Sequence, residues 1–337
     1  MKQITKIGFQ ELFLKPTHWI DVRAPIEFRE GSIPGALNLP LLNDEERHQV
    51  GLTYKTSGQE AAIKLGHQLV SGSIRESRTQ TWIEAIQKNL NPVVFCFRGG
   101  LRSQTVQAWL QEQQVTVPII EGGYKALRRF LLETIEEKSH TLNFKVVCGP
   151  TGSGKTHFLR TSGAPFLDLE SVACHRGSAF GAMTIPQPNQ VNFENQIAVE
   201  LLRLADAGSP IYIEDESRLI GKRLIPDPLF AAMKTAPRLY LDVSLAERVE
   251  TIFKDYILDS ALGTQGDLNQ FAEFRRAINA ISQRLGGLRT KELLQDLDHC
   301  QAEFEKEQRL DANRIWIEKL LTWYYDPSYQ HGISREN

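Results

Sequence analysis

The chain has 337 residues, of which 41% are hydrophobic and 24% charged, and its 39 basic and 41 acidic residues leave a formal net charge of -2 at pH 7. These values indicate a globular protein of two domains and exclude a disordered or fibrous chain. No apolar run reaches the roughly 20 residues of a membrane-spanning helix, and residues 1–16 lack the apolar core of a signal peptide. We therefore expect a cytoplasmic protein without a membrane partner, in which any nucleic-acid surface is a local patch.

The four cysteines show no pattern of a disulfide framework or a metal site. Cys96, Cys148, Cys174 and Cys300 form no CxxC pair and have no zinc spacing. We expect them to be reduced thiols, and we expect no bound metal and no resident cofactor.

Short apolar segments alternate with helical patterns along the first part of the chain, which predicts a parallel α/β sheet. The predicted elements are a strand at 18–22, a turn at 33–38 that leads into another short strand, a strand at 92–96, a helix from near Ser103, a strand at 117–120 and a helix from Tyr124 to Glu137.

The second part repeats this alternation after a polar stretch at residues 137–143, where we place the domain boundary. The predicted domains are 1–138 and 139–337. Further strands are expected near 144–148, 165–168, 210–214 and 238–242, and the chain is mostly helical after residue 243. The helical pattern there places Leu293, Leu297, Cys300 and Phe304 on one face.

A cysteine stands between a predicted strand and a predicted helix, in the sequence Phe95-Cys96-Phe97-Arg98-Gly99-Gly100-Leu101-Arg102-Ser103. Backbone N–H groups converge at such a turn, and the following helix favours negative charge there. Arg98 and Arg102 add positive charge that would stabilise a thiolate. The pattern predicts an anion-binding cradle around a nucleophile, which requires a thiol that solvent can reach.

The first domain resembles rhodanese-type sulfurtransferase domains. The resemblance rests on Asp21-Val22-Arg23, Glu27-Phe28, the segment from Gly31 to Ala36 with Asn38, the Cys96 loop and Glu121-Gly122-Gly123-Tyr124. The Cys96 loop is one residue longer than in common sulfurtransferases, and C-x5-R-S is also the spacing of cysteine phosphatases. The spacing leaves open a small chalcogen donor or a phosphate-bearing one, and a selenophosphate-like or thiophosphate-like ligand satisfies both.

The second domain opens with a full match to G-x-x-x-x-G-K-[ST], namely Gly149-Pro150-Thr151-Gly152-Ser153-Gly154-Lys155-Thr156. The match lies between a predicted strand and a predicted helix, as a phosphate loop requires. Its amides would hold phosphate groups, Lys155 would reach the terminal one, and the Thr156 hydroxyl would ligate Mg²⁺ where that ion takes part. The sequence does not decide between a nucleotide and a pyrophosphate-activated substrate.

A partner carboxylate for the phosphate loop is expected at the end of a neighbouring strand. Glu214, Asp215 and Glu216 are equal candidates in the sequence, and Arg218 follows them closely enough to meet phosphates.

Over nearly its whole length the chain resembles the tRNA 2-selenouridine synthase family, in which a rhodanese-like domain precedes a P-loop NTPase-like α/β domain with a helical C-terminal part. Beyond the two loops, the matching stretches are Asn43–His48 with Val50-Gly51 and Tyr54-Lys55, Cys174–Ser178 with Phe180-Gly181, Glu214–Arg218, and Tyr324-Tyr325-Asp326-Pro327.

The resemblance implies replacement of sulfur by selenium at C2 of wobble 2-thiouridine in tRNA, with selenophosphate as donor. It also implies S-geranylation of the same base from geranyl diphosphate, and as partners tRNA and an enzyme that supplies selenophosphate. Cys96, Arg98 and Arg102 would be the catalytic residues that handle selenium. Our own interpretation is that the phosphate loop grips geranyl diphosphate.

The tRNA would be held by phosphate contacts and by stacking on an exposed anticodon base. The candidate contact residues are Lys125, Arg128, Arg129, Arg176, Arg218, Arg275, Arg276, Arg284 and Arg289.

Three other functions compete with this interpretation. They are a P-loop kinase with a regulatory rhodanese domain, a cysteine phosphatase, and a sulfur-carrier or tRNA-binding module without catalysis. The oligomeric state and the set of tRNAs are not determined by the sequence.

Overall fold

The computed structural model describes residues 3–177, 180, 185–208 and 210–336, with side chains to residue 331. The strands in this range are β1 (Gln3–Ile4), β2 (His18–Asp21), β3 (Leu37–Asn38), β4 (Pro92–Phe95), β5 (Ile119–Ile120), β6 (Phe144–Cys148), β7 (Phe166–Leu167), β8 (Ile211–Glu214), β9 (Leu219–Ile220), β10 (Arg223–Leu224) and β11 (Arg238–Tyr240).

The helices up to the middle of the chain are α1 (Phe9–Leu14), α2 (Pro25–Glu30), α3 (Asp44–Leu69), α4 (Gly72–Gln87), α5 (Leu101–Glu112), α6 (Gly123–Thr141), α7 (Lys155–Thr161), α8 (Leu169–Ala173), α9 (Gln190–Leu204) and α10 (Asp227–Thr235). The C-terminal helices are α11 (Leu245–Phe253), α12 (Ala261–Gln265), α13 (Asn269–Ala280), α14 (Ser282–Leu285), α15 (Gly287–Glu307), α16 (Asn313–Leu320) and α17 (Asp326–Glu336). Lys6–Gly8 is a 3-10 turn, and Lys254–Leu258 and Leu321–Tyr325 are π-helical.

The chain divides into two compact units. Unit 1 comprises the chain up to Leu142 together with Pro188–Ala207 and Ile225–Leu229. Unit 2 comprises Asn143–Gln187, Gly208–Leu224 and the chain from Phe230 onward. Helix α9 therefore belongs to unit 1, although it lies far beyond residue 138 in the sequence.

Unit 1 is built on a parallel sheet with the strand order β1-β5-β4-β2-β3. The central strand β4 is an apolar run, and β2 carries Trp19 and Ile20 between His18 and Asp21; both strands are buried on both faces. Helices α3 and α4, between residues 44 and 87, are absent from our sequence prediction. Helix α3 bends at Gly58, which has a φ of +83°.

Helix α6 is longer than the sequence predicted. The prediction ended it at Glu137, whereas it continues to Thr141. Ser139 is buried in register with Leu131 and Ile135, one turn apart on the same face, and this packing extends the helix through polar residues. The predicted boundary at residue 138 consequently lies inside α6.

Unit 2 has a second parallel sheet, with the order β11-β6-β8-β7, and a small antiparallel pair, β9 and β10. The chain is mostly helical after residue 243, as the sequence predicted, and these C-terminal helices enclose an apolar core of their own. Four members of the predicted helix face are buried in that core, namely Leu293, Leu297, Cys300 and Phe304.

Both sheets present their loops in the same way. The Cys96 loop follows the carboxyl end of β4, and the phosphate loop follows the carboxyl end of β6. In parallel α/β sheets ligands bind at this edge, because the helix that follows each strand begins there. None of the described helices is long and apolar enough to cross a membrane.

Candidate functional site

The thiol of Cys96 lies at the base of its loop. Its Sγ atom is 3.3 Å from Ser103 Oγ and 3.9 Å from the carbonyl oxygen of Gly100. The residue is only 3% exposed, whereas Phe97 and Arg98 beside it are exposed. The sequence led us to expect a thiol that solvent can reach, and this expectation is wrong for this structure, since Sγ is buried in contact with Ser103 and the Gly100 carbonyl.

The glycines of two motifs hold the loop in place. Gly99 has a φ of +65° and Gly123 a φ of +57°, a region that side chains disfavour. A Cβ on Gly99 would lie 2.5 Å from the carbonyl oxygen of Ile120, and one on Gly123 would lie 2.2 Å from that of Cys96. The N–H of Tyr124 donates to the Cys96 carbonyl at 2.8 Å. The Glu121–Tyr124 motif thus acts as a backbone support for the cysteine loop.

The two arginines of the loop occupy different environments. Arg98 is exposed, with its guanidinium 5.8 Å from the centre of the Phe97 ring. Arg102 is half-buried and forms a two-pronged ion pair with Glu27, at 2.5 and 3.0 Å. Burial opposes ionisation of Glu27, but the hydrogen bonds from Arg102 outweigh it and lower the pKa of that carboxyl. The charge of Arg102 is thus partly neutralised by Glu27, whereas Arg98 is a solvent-exposed cation of the loop.

The Asp21–Arg23 motif is structural. Arg23 donates to Asp21 at 2.6 Å and to the Gly31 carbonyl at 2.7 Å, and all but 1% of its surface is buried. Its guanidinium lies 3.8 Å from the centre of the Tyr124 ring. A buried ion pair offsets the cost of its desolvation only when its hydrogen bonds are satisfied. The Arg23–Asp21 pair meets this condition, and Arg23 links β2 to the Glu121–Tyr124 motif that supports the cysteine loop.

The phosphate loop has the geometry of a preformed anion site. Lys155 Nζ donates to the Gly149 carbonyl at 2.8 Å, so that the ammonium spans the loop. Gly152 and Gly154 have φ of +83° and +75°, as the turn requires. The hydroxyl of Ser153 is buried without a hydrogen-bond partner.

The structure chooses among the candidate carboxylates. Thr156 Oγ1 donates to Glu214 Oε1 at 2.7 Å and is 3.2 Å from Glu170 Oε2. Asp215 instead pairs with Arg238 at 3.2 Å and so turns away from the loop. Of the three candidates, Glu214 is therefore the one in contact with Thr156, and Glu170 is a second neighbour that could not be predicted because nothing in the local sequence marks it.

These carboxyl groups hold their protons unusually tightly. Burial, followed by the charge of Glu170, raises the pKa of Glu214 to about 8. Burial and Glu214 raise the pKa of Glu216 to about 8, and burial and Glu216 raise that of Glu170 to about 7. Near neutral pH the acidic cluster therefore repels a bound anion less than three full charges would.

A buried arginine braces the phosphate loop from behind. Arg248 on α11 is 5% exposed and donates from Nε to the Thr151 carbonyl at 2.9 Å. Its other nitrogens donate to Asp326 at 3.2 and 2.5 Å. Asp326 belongs to the Tyr324–Pro327 stretch that resembles the family, and this contact gives that stretch a structural role.

The proposed tRNA-contact arginines are mostly engaged within their units. Arg128 pairs with Glu194 and Asn195, and Arg275 pairs with Asp298 at 2.5 Å. Arg276 is exposed. The remaining arginines with aromatic or backbone contacts are Arg176, which donates to the Asp255 carbonyl and stacks on Tyr256, Arg218 near Phe230, Arg284 near Tyr324 and Arg289 near Trp323.

Two residues of the family stretches, Ser178 and Gly181, lie outside the described residues. Among the residues that the structure describes, no three or more His, Cys, Asp or Glu side chains are arranged to hold a metal ion. A carboxylate oxygen of Glu214 is nonetheless buried without a hydrogen bond beside Thr156. Mg²⁺ takes one or two protein carboxylates and completes its shell with phosphates and water, so Thr156 and Glu214 fit that ion once Glu214 has released its proton.

The fold and these two sites define a class of protein, one with a rhodanese-like domain followed by a P-loop domain. A family profile described as "Rhodanese-like domain" matches residues 9–129, and one described as "tRNA 2-selenouridine synthase AAA domain" matches residues 142–337. The fold class predicted from the sequence is confirmed.

Curated relatives extend this match along the chain. Proteins named tRNA 2-selenouridine synthase from Nitrosomonas europaea and Bdellovibrio bacteriovorus are each 44% identical to it, over 96% and 100% of this chain and 91% and 94% of their own. That of Pseudomonas syringae pv. syringae is 44% identical over 96% of this chain and 90% of its own. A solved N-terminal domain of a Clostridium difficile protein is 34% identical over 39% of the chain, with a TM-score of 0.36. The chain belongs to the tRNA 2-selenouridine synthase family.

Proposed function

We propose that this protein replaces sulfur by selenium at C2 of wobble 2-thiouridine in cytoplasmic tRNA, with selenophosphate as the donor and an S-geranylated base as intermediate. The observation that carries the proposal is the near full-length identity to proteins named tRNA 2-selenouridine synthase, in a chain that keeps both the cysteine loop and the phosphate loop.

The phosphate loop is assigned to geranyl diphosphate. Lys155 and the buried Ser153 hydroxyl can both donate to a diphosphate, and Thr156 with Glu214 would hold an accompanying Mg²⁺. The thiocarbonyl sulfur of the base attacks C1 of the geranyl group, the C–O bond breaks, and pyrophosphate leaves. The cations and amides of the loop stabilise the negative charge that develops on this leaving group.

Geranylation prepares the base for selenium. An alkylated sulfur makes C2 electrophilic and leaves as a thiol. The selenium of selenophosphate then attacks C2, the C2–S bond breaks with loss of geranylthiol, and water takes up the phosphoryl group as phosphate. The loop of Cys96 is assigned to this second step, with Arg98 and Arg102 attracting the anionic donor. The buried Sγ requires the loop to open before the donor can touch it.

The first prediction is that Lys155→Ala impairs geranylation but not selenation, the two steps assigned to the two loops. We expect geranylation to fall by at least ~100-fold, because charge on the leaving pyrophosphate loses its main cation, while tRNA that is already geranylated is still selenated. Nucleoside mass spectrometry of the reacted tRNA measures both products. Lys64→Ala, on the exposed surface of α3, is the control. If geranylation and selenation are lost equally while tRNA binding is intact, the assignment of the phosphate loop to geranyl diphosphate is wrong.

The second prediction concerns Cys96→Ala. We expect selenouridine to disappear and geranylated tRNA to accumulate in cells supplied with selenium, because only the selenium step uses the cysteine loop. Cys174→Ala controls for the loss of a thiol elsewhere in the chain. A normal selenouridine yield from Cys96→Ala would take Cys96 out of the mechanism.

A further inference from the structure

An apolar pocket lies beside the phosphate loop in unit 2. It is a shallow, partly open pocket: its cavity volume is about 20 Å³, and the free space reaches about 330 Å³ only when the open solvent at its mouth is counted. Thr151 of the phosphate loop forms one part of the wall, and aromatic and aliphatic side chains form the rest. Its lining includes Thr151, Ile252, Tyr256, Trp316, Leu320 and Tyr325.

The pocket and the phosphate loop share atoms. Thr151 belongs to both, and Arg248 fixes its carbonyl at 2.9 Å. A Cβ on Gly152 would lie 3.0 Å from Cγ1 of Ile252, so the loop backbone runs in contact with the pocket wall. A ligand held by the loop amides consequently has this apolar surface within reach of any group attached to its phosphate.

The polar edge of the largest aromatic wall is turned away from the cavity. Trp316 Nε1 donates to Asn313 Oδ1 at 2.8 Å, and Asn313 is fully buried. The indole therefore presents carbon atoms to the pocket. A nucleotide base would bring donors and acceptors into a nearly pure hydrocarbon environment, where an unpaired polar group is costly. The lining favours a hydrocarbon chain.

Two irregular helical segments converge on this pocket. Lys254–Leu258 contributes Tyr256, and Leu321–Tyr325 contributes Tyr325, and both segments are π-helical. A π-helical turn is rare and occurs mostly at functional sites, where it redirects side chains at a cost in hydrogen-bond geometry. Both π-helical segments of the described chain thus shape the same cavity.

The geometry points to this pocket as the seat of the apolar chain of the phosphate-loop ligand, with Ile252, Tyr256 and Leu320 setting the chain length that fits. This inference rests on the proposed use of a prenyl diphosphate and adds where its chain lies. Arg176, whose guanidinium is 4.8 Å from the centre of the Tyr256 ring, places a cation against the same wall.

The test compares dissociation constants of the full-length protein for inorganic pyrophosphate, geranyl diphosphate and farnesyl diphosphate, measured by calorimetry. The wild type should bind geranyl diphosphate at least ~10-fold more tightly than pyrophosphate, because each buried methylene contributes to affinity. Ile252→Phe, which narrows the pocket, should remove that difference by weakening the binding of geranyl diphosphate. Leu258→Phe, in the π-helical segment that directly follows α11, is the control, because Leu258 is 43% exposed and lies outside the lining.

Tyr256→Ala tests the same inference without overpacking, since it removes atoms from a half-buried position. It should shift the preference toward farnesyl diphosphate by at least ~10-fold relative to geranyl diphosphate. If the wild type discriminates but both variants retain its preference, the chain binds elsewhere and the inference is overturned while the proposed function stands. If the wild type binds pyrophosphate and geranyl diphosphate equally, or prefers ATP to both, the prenyl substrate itself is wrong and the inference fails with it.

Discussion

Single carboxyl groups decide how the phosphate loop is charged. Glu214 is 1% exposed, and one of its oxygens accepts from Thr156 while the other has no hydrogen-bond partner. Burial and the adjacent Glu170 favour its neutral form. The Glu214 proton therefore links the stability of unit 2 to pH.

The third prediction follows from this linkage. The pKa of Glu214 is raised from 4.5 to about 8, so the folded protein keeps a proton that the unfolded chain releases. The contribution of this group to stability is present below about pH 4.5 and is lost as the pH rises to about 8. Glu214→Gln does not ionise, so between pH 5 and 8.5 its free energy of unfolding should gain about 4 kcal/mol relative to wild type.

Urea unfolding at the two pH values measures this difference. Glu60→Gln, on the exposed surface of α3, controls for the removal of one acidic residue. A gap between Glu214→Gln and wild type that does not vary with pH would mean that Glu214 is ionised in the folded protein throughout this range.

At the scale of elements, the cysteine loop depends on the turn that closes it. Gly99 and Gly123 come from segments more than twenty residues apart in the chain, yet their backbones are packed against each other. Gly100, the neighbour of Gly99, has a φ of -97° and open space where a Cβ would lie. Position 99 therefore requires glycine for both its φ and its close contact, whereas position 100 has room for a side chain.

The fourth prediction uses this difference. Gly99→Ala should destabilise the protein by about 2–4 kcal/mol, since it combines an unfavourable φ with a contact of 2.5 Å to the Ile120 carbonyl. Gly100→Ala should change stability by less than about 1 kcal/mol. Chemical denaturation of the two variants provides the measurement, and equal values for both would show that the contact with Ile120 does not constrain the loop.

At the scale of the whole molecule, helix α9 belongs to unit 1 although it follows the phosphate loop of unit 2 in the sequence. Asn195 on α9 is fully buried, donates to the Ser32 carbonyl and accepts from Arg128, both at 2.7 Å. Gly31 has no room for a side chain because Val191 and the Tyr124 hydroxyl lie against it. Helix α9 thus completes the rhodanese-like unit.

The fifth prediction is that residues 1–142 alone are less stable than the same residues within the full chain. Without α9, one side of α6 loses its cover, at an expected cost of about 2–4 kcal/mol. Amide hydrogen exchange should be faster along α6 in the fragment, and a synthetic peptide of residues 188–207 should restore protection. A peptide carrying Asn195→Ala should restore less. Equal protection of α6 in fragment and full chain would show that α9 contributes nothing to unit 1.

Much of the fold and of the site could be predicted from local patterns. The strands β2, β4 and β6 and the phosphate loop are continuous stretches whose conformation follows from their own residues, and so they were recognisable. Helices α3 and α4 were not, because their apolar residues follow no clear periodicity and are held by contacts such as that of Trp82 with Trp109.

The sequence by itself determined the two loops and the family, because each loop is encoded by consecutive residues with distinct backbone requirements. Only the tertiary structure decided that Glu27 pairs with Arg102, that Glu214 meets Thr156, and that a helix from the second half of the chain completes the first unit. Those outcomes depend on distances between residues far apart in the chain, which packing sets and local propensity does not.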